Sequence, residues 1–549
     1  MSEWPEKTMS IVGVPGAGKT DTAVTICEGL VAQQGYEPDE IVMVSYTRAA
    51  RFEARRRLSE RLGLHWSKLP WVSTIHSLCT RLLKRDHMDF MRKRDYLELF
   101  DDMKIQYSRD SFSSGMQSLR EIMEEPDYGR AEVRLGESLV SWNDYRRNSL
   151  LDFDNSLRRF HEMSGVSIPR DHAQDFMDRF DDALTRKHDF TSIVETALRE
   201  QVFPEKARIV LVDEAQDTLG PQREFIRHLA RQTGQVLFFF DEDQLVHEYA
   251  GASVEWLLSL PGRRRFLSKS HRCPELVRDI ALRIIRWNQK RFNCSEKEWE
   301  HAGHRGEIHG NQEWNGALRQ VMEAGSVAII ARNKCFLREI AAWMIDAGIP
   351  FDNLRGISPY NNIPAAALIA LTFASGGSMK LSEFVKLIGD IPQKGYLRRG
   401  VRSDLDRQSK SSSFEDRVIT RRDLDALGCM PAFIDTMART ETALDSLRMD
   451  SGTRRFYTKL YETKGIEWMR NPQITITLGT SHSLKGREFD HVIVLGDCTR
   501  RTDESFFNDG GEAERRVAYV AVTRARQSLW ICGSNSTYAW RPLQEAGVS

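Results

Sequence analysis

Short continuous apolar runs recur along this chain, each passing into a polar or glycine-rich loop: Met9–Val12, Ile209–Val212, Val236–Phe240 and Val327–Ala331. Runs this short, bounded by turn residues, predict strands buried on both faces, as in a parallel sheet. Helical stretches follow two of them, Thr20–Leu30 after the first and Phe336–Ile345 after the last. Between about 89 and 195 the pattern changes to charged, amphipathic helices. In Asp171–Leu184, Phe176, Phe180 and Leu184 recur at four-residue spacing and define one apolar face.

Chemistry enters where the first run ends. Gly13-Val14-Pro15-Gly16-Ala17-Gly18-Lys19-Thr20 fits the phosphate-loop pattern. Glycines let backbone N–H groups wrap a phosphate, and a following helix offers free N–H groups and a favourable dipole. Lys19 is expected at the β/γ-phosphates of a nucleotide and Thr20 at Mg²⁺. The second run ends in Asp213-Glu214, at the strand end where open α/β sheets bind ligands. Asp213 is assigned to Mg²⁺, and Glu214 to positioning or deprotonating the attacking water. The third run leads into Asp241-Glu242-Asp243-Gln244, where Gln244 is a candidate γ-phosphate sensor. A glutamine after a strand is ordinarily just a loop residue; its order after the other two strands singles it out.

Composition narrows the partners. The chain has 78 basic and 78 acidic residues, so it carries no global electrostatic footprint for nucleic acid, and any such binding needs a local channel. That suits single strands, which stack on aromatic rings while nearby Lys and Arg follow the backbone. No run of eighteen apolar residues predicts a membrane span, and the N-terminus enters a strand too soon for a signal peptide. Eight scattered cysteines contain no C-x-x-C pair, so buried free thiols in a reducing, cytoplasmic compartment are expected, without zinc. At 549 residues, roughly three or four domains are expected.

Further motifs give the order meaning. Ser45-Tyr46-Thr47-Arg48-Ala49-Ala50 and Ser73-Thr74-Ile75-His76-Ser77 follow the phosphate loop. Asp213-Glu214-Ala215-Gln216-Asp217 follows them, and then the stretch from Phe240 to Ala252. Later come Ser270-His271-Arg272-Cys273-Pro274, Thr480-Ser481-His482-Ser483-Leu484-Lys485-Gly486-Arg487-Glu488-Phe489, and the stretch from Glu514 to Ala525. In this order the chain resembles the UvrD/Rep-like branch of superfamily 1 DNA helicases over most of its length.

The resemblance implies an α/β fold of two RecA-like, parallel-sheet domains of P-loop NTPase type, each carrying a mainly helical insert, with ATP between them. The first RecA-like domain would take residues 1–88 and 196–262, with its insert at 89–195. The second would take 263–356 and 473–549, with a reduced, partly basic insert at 357–472. Lys19, Asp213, Glu214, Gln244, Arg272 and Arg524 would be catalytic, the two arginines acting on the γ-phosphate from the second domain. Gly13 to Thr20, His271, Gly486 and Glu488 would complete the nucleotide site, with His271 in place of a Tyr that stacks on adenine and Glu488 at the ribose. Tyr46, Thr47, Arg48, His76, His247, Tyr249 and His482 would contact the nucleic acid.

Two departures stand out. No glutamine precedes Gly13, so NTP specificity beyond ATP stays open. The family's Y-x-[WF]-R-G-A becomes His247-Glu248-Tyr249-Ala250-Gly251-Ala252, which alters the grip on DNA. Residues 391–422 hold nine Lys/Arg against four Asp/Glu, either a loop that meets duplex DNA or a solvated one. The triplet Arg263-Arg264-Arg265, just before an expected strand, is likewise ambiguous. No stretch after the last motif is expected to hold a nuclease domain.

The function implied is ATP-dependent movement on single-stranded DNA and at single/double-strand junctions, three-prime to five-prime, by a monomer or transient oligomer. A protein partner in repair, replication or defence is compatible. The rivals are a translocase that does not unwind alone, an ATP-switched DNA-binding module, and a small-molecule P-loop kinase. The last leaves the C-terminal motifs without a purpose.

Overall fold

The computed structural model describes residues 4–46, 48–84, 88–107, 135–292, 297–353, 363–408, 417–507 and 510–548. Six strands form the first sheet: β1 (Lys7–Gly13), β2 (Ile41–Ser45), β3 (Val72–Thr74), β4 (Ile209–Val212), β5 (Gln235–Phe240) and β6 (Arg263–Leu267). Their order is β3-β2-β4-β5-β1-β6 and every pairing is parallel. Side chains alternate between two cores, as a pleated strand requires. Val12, Val42, Val210 and Phe238 pack on one face, and Ile11, Met43, Leu211 and Phe239 on the other. Apolar residues on both faces explain why these strands read as continuous runs.

The helix after β1 runs Lys19–Gln34, longer than its sequence pattern indicated. Its terminus is set by Gly35, whose left-handed backbone (φ 70°) returns an N–H to Leu30 O. The arginine triplet belongs to β6 itself rather than to a preceding loop. Arg263, Arg264 and Arg265 are exposed because β6 is an edge strand, and Arg264 covers the Phe292 ring at 4.8 Å.

Between β3 and β4 lies a helical insert with its own core. Phe100, Trp142, Phe160, Phe176 and Phe180 are all buried there, and Leu184 packs against them. Phe176 and Phe180 stack at 5.6 Å, on the face that the four-residue spacing defined.

The second sheet contains β7 (Glu307–Gln312), β8 (Val327–Ala331) and β9 (Asp352–Asn353). After the short antiparallel pair β10 (Met379–Lys380) and β11 (Val418–Ile419), it gains β12 (Ile476–Thr480), β13 (Phe489–Val494) and β14 (Ala525–Cys532). The order is β7-β14-β13-β8-β12-β9, with β7–β14, β14–β13 and β12–β9 parallel. The fold is thus α/β with two six-stranded sheets.

By compactness the chain divides into one unit of residues 1–321, 330–335 and 480–549, and another of 322–329 and 336–479. The second unit has a separate apolar core built on helices such as Ala365–Ala374, Leu381–Gly389 and Ser451–Arg470. Part of its basic stretch serves the fold: Arg402 donates to Ile391 O at 2.7 Å and Arg421 to Phe373 O at 3.3 Å. Residues 409–416 of that stretch lie outside the described residues. Six cysteines (27, 79, 273, 429, 498 and 532) are buried and Cys335 is half-buried; Cys294 lies outside the described residues. Among the described residues no helix is long and apolar enough to cross a membrane.

Candidate functional site

The candidate nucleotide-site residues all lie in the first unit. Gly13–Thr20 turns from β1 into its helix, with Gly16 and Gly18 at φ +73° and +77°, a region that strains any side chain. Lys19 is buried, and its Nζ donates to Gly13 O at 3.1 Å. Thr20 Oγ1 donates to Asp213 Oδ2 at 2.7 Å, joining the loop to the end of β4. Burial, with the adjacent Glu214 charge, pushes the Asp213 carboxyl up to about 7, against the pull of Thr20 and Lys19. Burial acts on Glu214 in the same direction, but Lys19 and Lys485 outweigh it and hold Glu214 low.

The loop after β5 carries Gln244. Its Nε2 donates to Asp241 Oδ2 at 2.8 Å, and its Oε1 accepts from Arg524 Nη2 at 3.1 Å. Arg524 is fixed further by donating from Nε to Val520 O at 2.8 Å. Burial, reinforced by repulsion from Arg272, pulls the Arg524 guanidinium down to about 9. Glu214 acts on both arginines, so the three groups share one electrostatic environment.

Ser270–Arg272 lies against the phosphate loop. Ser270 Oγ donates to Pro15 O at 2.7 Å and His271 N to Gly16 O at 2.9 Å. Arg272 Nε donates to Glu488 Oε2 at 2.6 Å, and Glu488 also pairs with Arg526. Gly486, two residues before Glu488, adopts φ +83°. A cavity of about 680 Å³ opens at His271 and Arg272, lined also by His304, Asp490, Arg526 and Gln527. Lys19, Thr20, Asp213, Glu214, Gln244, Arg272, Glu488 and Arg524 therefore converge, although they come from distant parts of the sequence.

Four rings from distant parts of the sequence form a second group. Tyr46 lies 5.5 Å from His247, His247 5.8 Å from Tyr249, and Tyr249 5.7 Å from His482. His76 stands apart from that group, edge-on to the exposed Phe190 at 5.5 Å. Burial lowers the His76 pKa, so its ring favours the neutral form. Thr47 and the Arg48 side chain lie outside the described residues.

Comparison with known proteins decides the family. The UvrD/REP helicase N-terminal domain matches residues 1–263, and the UvrD-like helicase C-terminal domain matches residues 457–536. DNA helicase II of Salmonella typhimurium is 24% identical, over 96% of this chain and 82% of the relative. ATP-dependent DNA helicase PcrA of Staphylococcus aureus is 21% identical, over 97% of this chain and 82% of the relative. The chain belongs to the UvrD/Rep-like family of superfamily 1 DNA helicases. It is an ATP-hydrolysing DNA helicase.

This helicase also carries supporting residues that sequence motifs left unassigned. Asp241, Glu242 and Asp243 are fully buried, and Lys297 Nζ lies 3.0, 2.8 and 3.0 Å from their respective carboxylates. Arg291 pairs with Asp243 at 2.5 Å. The only sequence signal was three consecutive acids at the end of a core strand, which cannot be buried without cations. Lys485, inside a recognised motif, donates to Asp217 Oδ1 at 2.6 Å and to Gln244 O at 2.7 Å. It thereby ties the loop after β4 to the loop after β5.

Proposed function

We propose that this helicase is a single-stranded DNA motor that couples ATP hydrolysis in this cleft to strand separation, moving three-prime to five-prime. The observation that carries the reading is the Arg524–Gln244 hydrogen bond, which sets an arginine of the last motif against the glutamine of the loop after β5. The residues fit a magnesium nucleotide. A buried Arg524 repelled by Arg272 and a buried Lys19 suit negative charge, and a desolvated Asp213 beside Thr20 suits a cation. Thr20 and Asp213 would hold Mg²⁺, which when bound neutralises phosphate charge.

In this reading Gly13 to Gly18 and Lys19 cradle the phosphates, Glu214 positions or deprotonates the attacking water, and Gln244 senses the γ-phosphate. His271 stacks on the base, and Gly486 shapes the turn that brings Glu488 to the ribose. Arg272 exchanges its Glu488 partner for phosphate oxygens as the site closes. Arg524, already held at its tip by Gln244, stabilises the charge that develops in the transition state, an effect worth ~10³–10⁵ in rate in other NTPases. Loss of the γ-phosphate removes the anion that holds these cations, and the cleft relaxes.

The four-ring cluster of Tyr46, His247, Tyr249 and His482, with Thr47, Arg48 and His76, would grip the strand by stacking and phosphate contact. The chain would then be organised as a first RecA-like domain (1–88 and 196–262), a second (263–356 and 473–549), and inserts at 89–195 and 357–472. Strand displacement on a three-prime-tailed duplex tests the reading. ATP-dependent release of the strand supports it. ATP turnover without release would mark a translocase that needs a partner to unwind.

A further inference from the structure

The helix after β2, Arg48–Leu62, presents two arginine faces with opposite treatment. On one, Arg56, Arg57 and Arg61 are each matched by carboxylates: Glu53, Glu60, Asp21 and Glu28. On the other, Arg51 and Arg55 have no acidic partner among the described residues. Both leave a buried Nε without a hydrogen-bond acceptor. Arg81, on the helix after β3, joins them and also has no carboxylate among the described residues. The three guanidinium groups repel: with burial as the larger cause, Arg81 and Arg51 lower the Arg55 pKa, and Arg51 lowers that of Arg81.

Aromatic rings are interleaved with these charges. Arg55 lies over the Trp66 ring at 5.3 Å and Arg81 over Trp71 at 5.7 Å. Trp66 is 55% exposed and Phe52 70% exposed, beside this basic face. Clustered like charges without counter-ions are costly to assemble, so an anion is the missing component. An exposed indole, Trp66, amid guanidinium groups matches the combination of base stacking and phosphate contact that binds single strands.

Position supplies the link to the motor. Arg51 and Arg55 lie on the helix that follows β2, and Arg81 lies one turn beyond Ser77 on the helix that follows β3, so the patch adjoins both proposed strand-contacting motifs. We propose that Arg51, Arg55, Arg81 and Trp66 form an additional single-stranded DNA site that extends the track beyond the motor core, along the β3 edge of the first sheet. The proposal rests on the reading of the chain as a single-strand motor.

Binding of fluorescent oligodeoxythymidylates of increasing length tests it, in the full chain over a range of salt. Wild type should gain affinity in two stages, as the strand first fills the core and then reaches the patch. R51Q/R81Q should lose about tenfold or more on long oligonucleotides but bind short ones as wild type does. Its slope of log affinity against log salt should fall by roughly 1.4, about 0.7 for each phosphate contact removed. R51K/R81K should recover most of that slope, and W66A should lose long-strand affinity with the slope retained. Each variant's melting temperature accompanies the titration, because W66A also removes the ring beneath Arg55. Wild-type binding at both lengths with long-strand affinity and slope unchanged in R51Q/R81Q and W66A would overturn the proposal, and would leave a protein partner for the patch. If wild type binds no oligonucleotide at all, the motor reading itself fails.

Discussion

Arg524 Nη2 donates to Gln244 Oε1 at 3.1 Å, joining residues 280 positions apart in the sequence. The arginine is buried, repelled by Arg272, and held by carbonyls of Val520 and Arg487. Arg524→Ala should leave nucleotide binding largely intact and slow hydrolysis by ~10³-fold or more. Arg524→Lys should recover little, because a single ammonium cannot span Gln244 and both carbonyls. Nucleotide titration and single-turnover hydrolysis separate the two effects.

Lys297 touches three buried carboxylates at once, and through Asp241 it reaches Gln244. Lys297→Met strands those charges and should destabilise the first unit by roughly 3–5 kcal/mol, as breaking buried ion pairs does. Adding Glu242→Gln should restore part of the loss. Denaturant unfolding measures both, and an unchanged midpoint in Lys297→Met would show that water or Arg291 suffices.

Gly16 packs directly against Arg272. A Cβ built there would lie 2.5 Å from Arg272 Cβ, on a backbone at φ +73°. Gly16→Ala should therefore displace Ser270–Arg272 from the loop as well as distort the phosphate cradle. Turnover should fall to near background, as for Lys19→Ala, and the melting temperature should fall with the strain. Steady-state ATPase assays check this.

Asp144 in the helical insert is buried, and its Oδ2 has no hydrogen-bond partner. Burial, then the Asp189 charge, push its carboxyl up to about 7 against the pull of Arg147. The folded pKa exceeds the unfolded one, so its contribution to stability is complete below about 4 and is lost as pH rises through about 7. Asp144→Asn should flatten that decline and raise the melting temperature at pH 8 relative to wild type. Melting curves from pH 5 to 8 give the comparison.

Much of the molecule was legible because its chemistry is local in sequence. The phosphate loop, the paired acids after β4 and the apolar strands each announce themselves within a few residues. Doubly covered strands gave continuous apolar runs, and the insert helix gave its four-residue aromatic spacing. Two kinds of feature stayed hidden. Lys297 and the unmatched face of Arg51 and Arg55 depend on partners brought together only by folding, and no local pattern distinguishes them from solvated cations. The sequence pattern sets Arg263–Arg265 just before its strand rather than in it, because an edge strand exposes side chains that a central strand would bury.

ATP turnover measured side by side with single-stranded DNA, duplex DNA and RNA tests the central claim most directly. The account predicts low turnover alone, strong stimulation by single-stranded DNA, and weaker stimulation by the blunt duplex and by RNA. Turnover that is the same with and without single-stranded DNA would contradict it.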